Sequence, residues 1–281
     1  MSYSATAALS SASEASIDAR VYDNVNGVAS ISAYKSVYLN APPPPGAPDL
    51  VAASDSGPRG VNGEDINTDK DNLTNILAPT FAVSLANTTA STSSMVTLYA
   101  GGNLVAEKRV TAADLSAGVI NITVGNNDDG FTLAASSLTP NAASAITAKI
   151  QSGATTGSFV SASSTSLDVI EDTISPATTS ISTSGSAITS GTGQIKAGGV
   201  VNFALNATES LYVTGTPTLA LSNGGVATYA GGSGSSTLNF AYTVAANSTN
   251  VADLQVSSYS GVITDLAGNA LGSAAFNPTG T

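Results

Sequence analysis

The chain has 281 residues, of which only 10% are charged, with 19 acidic against 8 basic side chains and a formal net charge of −11. Eight scattered cations cannot form a stripe that tracks nucleic-acid phosphates or grips an anionic membrane surface, and an acidic chain attracts cations instead. With no Cys and no His, a disulfide framework, a thiolate metal site and a Cys–His or Ser–His nucleophile pair are all excluded.

The first 44 residues are rich in Ala and Ser. "SIDARVYDNV" alternates Ile17, Ala19 and Val21, and "VASISAYKSVYLN" alternates Ile31 with Ala33 and Val37 with Leu39. Period two predicts strands. "ALSSASEASIDAR" also suits a short helix, and both readings stay open. The opening "MSYSATAALSSASEAS" has no basic residue and no long apolar run, so it does not read as a secretory leader. No stretch reaches the roughly 18 apolar residues of a membrane span. "APPPPGAP", residues 41–48, follows. Four consecutive prolines favour a stiff polyproline II segment that cannot donate to a sheet ladder. This marks residues 1–44 as a strand-rich segment of uncertain fold ending in a Pro-rich linker.

A new unit is expected over 45–173. "PTFAVSL", "SMVTLYAGGNLVAEKRV", "GVINITVG", "SAITAKIQS" and "TSLDVIED" read as strands, with "AGGN" at 100–103 as a hairpin loop and "GNNDDG" at 125–130 as a polar turn. "DTISPATTS", 172–180, reads as a second linker. A third unit is expected over 174–281, of the usual domain size of about 100 residues. Its strands are "GGVVNFALNA", "LYVTG", "PTLALSNGGVATYAGG", "STLNFAYTVAA", "ADLQVSS" and "SGVITDLAGNAL", and "SNGG" is a turn signal. In "TLNFAYTV", Leu238, Phe240, Tyr242 and Val244 share a face. Frequent short strands without a clear amphipathic helix predict an all-β chain of antiparallel sandwiches. A lean core of small residues suits two sheets about 10 Å apart.

Pro48-Asp49-Leu50, Ser54-Asp55-Ser56-Gly57, Asp71-Asn72-Leu73-Thr74-Asn75 and Pro79-Thr80-Phe81, followed by "VTLYAGGNLVAEKRV", resemble the bacterial immunoglobulin-like repeats of large biofilm-associated and repeats-in-toxin type surface adhesins. The last unit, through Gly215-Thr216-Pro217-Thr218-Leu219 and Asp265-Leu266-Ala267-Gly268-Asn269, looks like a second repeat type of the same surface proteins. The resemblance covers roughly residues 45–275. It implies tandem immunoglobulin-like β-sandwiches in a linear array. Residues 58–68 depart from the pattern by inserting length and acid, "SSLTPNAAS" replaces the family's mid-repeat aromatic turn, and residues 1–44 lie outside it.

"GEDINTDKDN", residues 63–72, is the most concentrated acidic stretch. Asp65, Asn67, Asp69 and Asp71 stand at every second position. The first three suit an EF-hand loop, but Lys70 stands where Gly is needed and Ile76 where a bidentate Glu is needed. The alternation nevertheless points several oxygens one way, and Ca2+ takes roughly six to eight of them. The alternative is a solvated loop in which Lys70 softens the repulsion. The resemblance further implies Ca2+ at domain junctions. The matching residues are Asp49 and Asp55 at one junction and Glu171 and Asp172 at the other. Asp265 and Asn269 are expected to face the following junction. Asp172 and Asp265 also suit plain turn initiation. "NNDDG" reads as a turn.

The functional expectation is a non-enzymatic structural or adhesive segment of an extracellular or cell-surface bacterial protein, extended and stiffened by Ca2+. Its partners would be neighbouring repeats or subunits, and a host or abiotic surface or polysaccharide, with no nucleic acid and no transmembrane segment. A second reading is a self-assembling filament or surface-layer subunit that uses residues 1–40 as a donor strand. A third is a carbohydrate-binding module with Tyr229 or Tyr242 as platform, although Tyr242 reads as buried.

Overall fold

The computed structural model describes residues 15–19, 22–25, 28–31, 35–39, 41–57, 72–152 and 160–272. The chain is nearly all β, with several antiparallel sheets. No helix of the described residues is long and apolar enough to cross a membrane. The chain divides into two compact units. The first comprises residues 1–49, 80–138 and 144–168, and the second residues 50–79, 139–143 and 169–281. Residues 50–79, 139–143 and 169–173 therefore group with the later chain, although sequence spacing assigns them to the 45–173 repeat.

Near the N-terminus, β1 (Ala15–Ala19), β2 (Tyr22–Val25), β3 (Val28–Ile31) and β4 (Lys35–Leu39) form two antiparallel pairs, β1 with β4 and β2 with β3. Residues 15–19, part of the stretch open to strand or helix, are strand. There follow β5 (Pro48–Leu50), β6 (Leu73–Thr74), β7 (Thr80–Ser84), β8 (Met95–Ala100), β9 (Asn103–Arg109), β10 (Val119–Thr123), β11 (Ala142–Gln151) and β12 (Leu167–Glu171).

In the first unit β7 and β10 set Phe81 opposite Ile122 and Val83 opposite Ile120, and all four are fully buried. Directly opposed residues share a face of the sheet, so two alternating sequences become one apolar surface. Strand β8 is bonded on one side to β9 and on the other to β11. The β8–β9 hairpin closes through Gly101 (φ 54°) and Gly102 (φ 86°). Two consecutive left-handed residues make the turn whose twist matches the strands, which is why glycine occupies both.

Between β9 and β10 runs one short helix, α1 (Ala112–Ala117), which the strand-only reading overlooks. Its signal is present in "TAADLSAG". Thr111 caps the N-terminus in a reciprocal box with Asp114, and Gly118 (φ 70°) ends it. None of its residues is buried, so it has no apolar stripe for a periodicity search to find.

The second unit continues with β13 (Thr178–Ser184), β14 (Ile188–Thr189), β15 (Thr192–Gly193), β16 (Val200–Leu221), β17 (Val226–Gly231), β18 (Ser235–Thr243) and β19 (Val256–Thr264). Sequence punctuation splits the β16 region into three strands, with breaks at Thr208-Glu209-Ser210 and at Thr216 between Gly215 and Pro217. The structure keeps it as one strand of 22 residues. Its first half pairs with β13 and β18 and its second half with β17 and β19, with register shifts between Asn206 and Leu211 and between Thr214 and Thr218. Such irregularities bend a strand without ending it, and they are where a sheet tolerates proline. The core gathers Phe203, Leu205, Leu211, Val213, Leu219, Leu238, Phe240 and Ile263. Tyr242 is buried, its hydroxyl bonded to the Asn223 amide and to Ser248. A sugar platform built on Tyr242 is therefore ruled out.

Candidate metal centre

Three elements of the second unit bring acid together. Strand β12 pairs in parallel with β6, setting Glu171 opposite Thr74, and the Asp172 amide donates to the Thr74 carbonyl at 2.8 Å. This fixes Asp172 at the strand end. Its Oδ1 accepts the Ile174 amide at 3.0 Å, a turn typical of aspartate.

Asp265 opens the turn after β19. The pairing of Tyr212 with Thr264 carries that turn back to the middle of β16, close in sequence to Glu209. The turn closes on itself. Asp265 Oδ1 accepts the Asn269 amide and Oδ2 accepts Asn269 Nδ2, both at 2.8 Å. The same Nδ2 donates to the Asp172 carbonyl at 2.9 Å. Gly268 holds φ 91°, a conformation that strains any other residue. Ser56 anchors the turn from outside by donating to the Ala267 carbonyl at 2.7 Å, while its Oγ accepts the Asn75 amide at 2.6 Å.

The result is a group of three carboxylates, Asp172, Glu209 and Asp265, in which one oxygen of each lies within 4.8 Å of the other two. Asp265 is only 2% exposed, and Asp172 and Glu209 are half-buried. Burial pushes the Glu209 carboxyl up from its ordinary pKa, and Asp265 and Asp172 push it further. Burial also raises Asp265. The Asn269 side chain, the Asn269 amide and the Gly268 amide oppose that rise, and Asp172 adds to it. Dipoles, not cationic side chains, are what offset the negative charge here.

Glu171, the neighbour of Asp172, is fully buried, and neither carboxylate oxygen has a hydrogen-bond partner. Burial raises its pKa too. A buried carboxylate without a partner is costly unless a proton or a cation neutralises it. Carboxylate oxygens with the Asn269 side chain beside them form a hard, oxygen-rich donor set. That chemistry suits Ca2+ or Mg2+ and not a soft transition metal.

Of the residues singled out from sequence, Asp172, Asp265 and Asn269 come together. The expectation that Asp265 and Asn269 face a different junction from Asp172 is corrected, because the antiparallel register of β19 on β16 returns the turn to Asp172. Glu209 was missed. It lies inside β16 in "NATESL", where nothing marks it except an acid next to a register shift. Asp49 is exposed on β5. Asp55 is half-buried in a turn where its amide donates to the Val51 carbonyl at 2.9 Å. Neither belongs to the three-carboxylate group. Asp65, Asn67, Asp69 and Asp71 lie outside the described residues.

No protein-family model matches the chain, and no curated protein matches it.

Proposed function

We propose that this chain is a structural, adhesive segment of an extracellular or cell-surface bacterial protein. In this reading it is built of tandem immunoglobulin-like β-sandwiches, and Ca2+ sets its rigidity. Its role is mechanical and not catalytic. It joins neighbouring repeats or subunits of the same protein and holds a surface-binding region away from the cell. The ligands at the 172–180 linker are Asp172, Glu209 and Asp265, with Asn269 orienting Asp265.

The observation that carries the reading is the three-carboxylate group itself. It unites Asp172, the residue after β12, with two acids 37 and 93 positions on (209 − 172 and 265 − 172). The charges acting on Glu209 are all negative. Carboxylates held this close repel until a divalent ion neutralises them, and an ion that bridges linker and sheet removes the freedom of the linker. The resemblance of residues 45–275 to surface adhesin repeats supports the same reading.

The test is thermal unfolding of the whole chain in EDTA, in Mg2+ and in Ca2+, with small-angle scattering on the same samples. A ligand that binds only the folded state stabilises it by about 2.7 kcal/mol at a hundredfold excess over Kd. The expected result is a Ca2+-dependent rise in Tm with a stiffer particle, both lost in Asp265→Asn/Glu209→Gln. No change in Tm or in shape at millimolar Ca2+ would sink the proposal.

A further inference from the structure

A strand at the edge of a sheet presents unpaired amides and carbonyls that another chain can take, and folded proteins usually blunt such edges. From β5 onward most edges of this protein carry a device of that kind. Along β9 the chain after β10 folds back. The Gly125 amide donates to the Val105 carbonyl, the Glu107 amide to the Asn126 carbonyl and the Ala134 amide to the Leu104 carbonyl, each at 2.8 Å. On β10, an edge of the β10-β7-β5 sheet, the Asn121 carbonyl accepts Lys108 Nζ at 2.8 Å. Strands β5, β6, β14 and β15 have three residues at most. On β19 the chain also returns. The Leu271 amide donates to the Ile263 carbonyl at 2.9 Å, Ala270 bridges to Thr264, and the Tyr259 hydroxyl donates to the Leu271 carbonyl at 2.7 Å.

Strand β13 is different. It is seven residues long, and among the described residues its one strand neighbour is β16. The hairpin β14–β15 reaches it through Thr183 Oγ1, which donates to the Gly191 carbonyl at 3.4 Å, a side-chain bond that takes no main-chain group of β13. Its bulge lies between Thr178 and Ser180, so Ser180–Ser184 run in unbroken register along β16. The sequence TTSISTS holds no Lys, no Pro and no charge, the residues that commonly keep an edge single. Ile181 lies opposite Leu205 and Thr183 opposite Phe203, and both partners belong to the core of the second unit. Ser180, Ser182 and Ser184 alternate with them, opposite Asn206, Ala204 and Asn202. Ser182 and Ser184 are exposed. The outward row of the strand is therefore three serines.

These features select a second copy of this chain as the occupant. A two-fold axis at Ser182 lays β13 antiparallel on its own copy, with Ser180 against Ser184, Ile181 against Thr183 and Ser182 against itself. Serines then meet serines, and hydroxyl side chains directly opposite bond to each other. A chain of net charge −11 repels its copies, and that repulsion is weakest where neither copy brings a charge. We propose that β13 is a self-pairing edge, through which two copies of this chain join their second-unit sheets by antiparallel main-chain hydrogen bonds. This gives a surface to the subunit-joining role proposed above, and it requires neither Ca2+ nor the Asp172 group.

The experiment is sedimentation equilibrium of the full chain from micromolar to near-millimolar concentration, in EDTA and in Ca2+, with hydrogen exchange of the 178–184 amides at both ends of that range. The expected result is a monomer–dimer equilibrium in both buffers, with alternate amides of Ser180–Ser184 exchanging more slowly as concentration rises. Ser182→Lys and Ser182→Asp, at an exposed position, each set like charges opposite one another and should weaken the dimer by about tenfold or more. An equimolar mixture of the two variants should restore it. A monomer throughout, a dimer that neither variant weakens, or no recovery in the mixture would overturn the proposal. So would amides at 180–184 that are equally slow at every concentration, the mark of an edge covered by its own chain. Should the variants fail to fold, the concentration dependence of those amides in the wild type decides alone. Because association is read in EDTA as well, its failure leaves the Ca2+ reading standing, and loss of the Ca2+ effect leaves this contact standing.

Discussion

The Asp172–Glu209–Asp265 group and the Asp128–Asp129 turn differ in what answers their charge. In the turn, Arg109 forks onto Asp129 from a strand already paired to its neighbours, and the acids stand at the surface. In the group after β12 the acids are more deeply set. Asn269 supplies dipoles, and the charges pressing on Glu209 are carboxylates. Acid count is the same kind of signal in both places. The location of the nearest fixed cation decides how far each set of acids is already neutralised.

The largest effect should come from Asn269→Ala. It removes a donor from a carboxylate that is almost fully buried and from the Asp172 carbonyl. A buried acceptor left without its donor costs about 1–3 kcal/mol, to be read as a lower urea midpoint in EDTA. The matching change in the turn, Asn126→Ala, should cost about 0.5–1.5 kcal/mol. If Asn126→Ala costs more, the distinction between the two regions breaks.

The second effect is a slope with pH. Glu171, Glu209 and Asp265 all hold their protons more tightly folded than unfolded. Their contribution to stability is therefore fully present below the ordinary carboxylate pKa of about 4 and is lost as pH rises through the raised values. Metal-free protein should lose stability from about pH 4 upward, and Ca2+ should offset that loss by favouring the ionised forms. Thermal unfolding across that range in EDTA checks the sign. A metal-free chain that gains stability over the window would contradict the account of these three carboxyls.

The smallest effect belongs to Arg109→Gln. The arginine side chain is 42% exposed, and exposed ion pairs contribute roughly 0.2–1 kcal/mol, less in high salt. A loss well beyond this, or one indifferent to salt, would mean that the turn depends on Arg109 as heavily as Asp265 depends on Asn269.

Much of the fold was legible in the residues. The period-two run of Leu238, Phe240 and Tyr242 is buried as one face, and Gly101-Gly102 turns where a left-handed pair is needed. Other parts were not legible. Gly215 and Pro217 read as breaks, yet β16 runs through them because partners on both sides hold it across two register shifts. Helix α1 carried its capping box in plain view but no apolar stripe. At the site, Asp172, Asp265 and Asn269 could be singled out by turn chemistry and by resemblance, while Glu209 looked like one polar residue in a strand.

That this chain is β-structured, where its hairpins turn, and that it is poor in cations and rich in oxygen ligands can all be read along the linear chain. Those properties follow from local sterics, alternation and composition. Which acids meet depends on long-range strand pairing. Asn269 reaches a carbonyl 97 residues away, and Glu209 joins Asp265 through the register of β19 on β16. Register is set by the burial of whole strand faces, so no short stretch of residues encodes it.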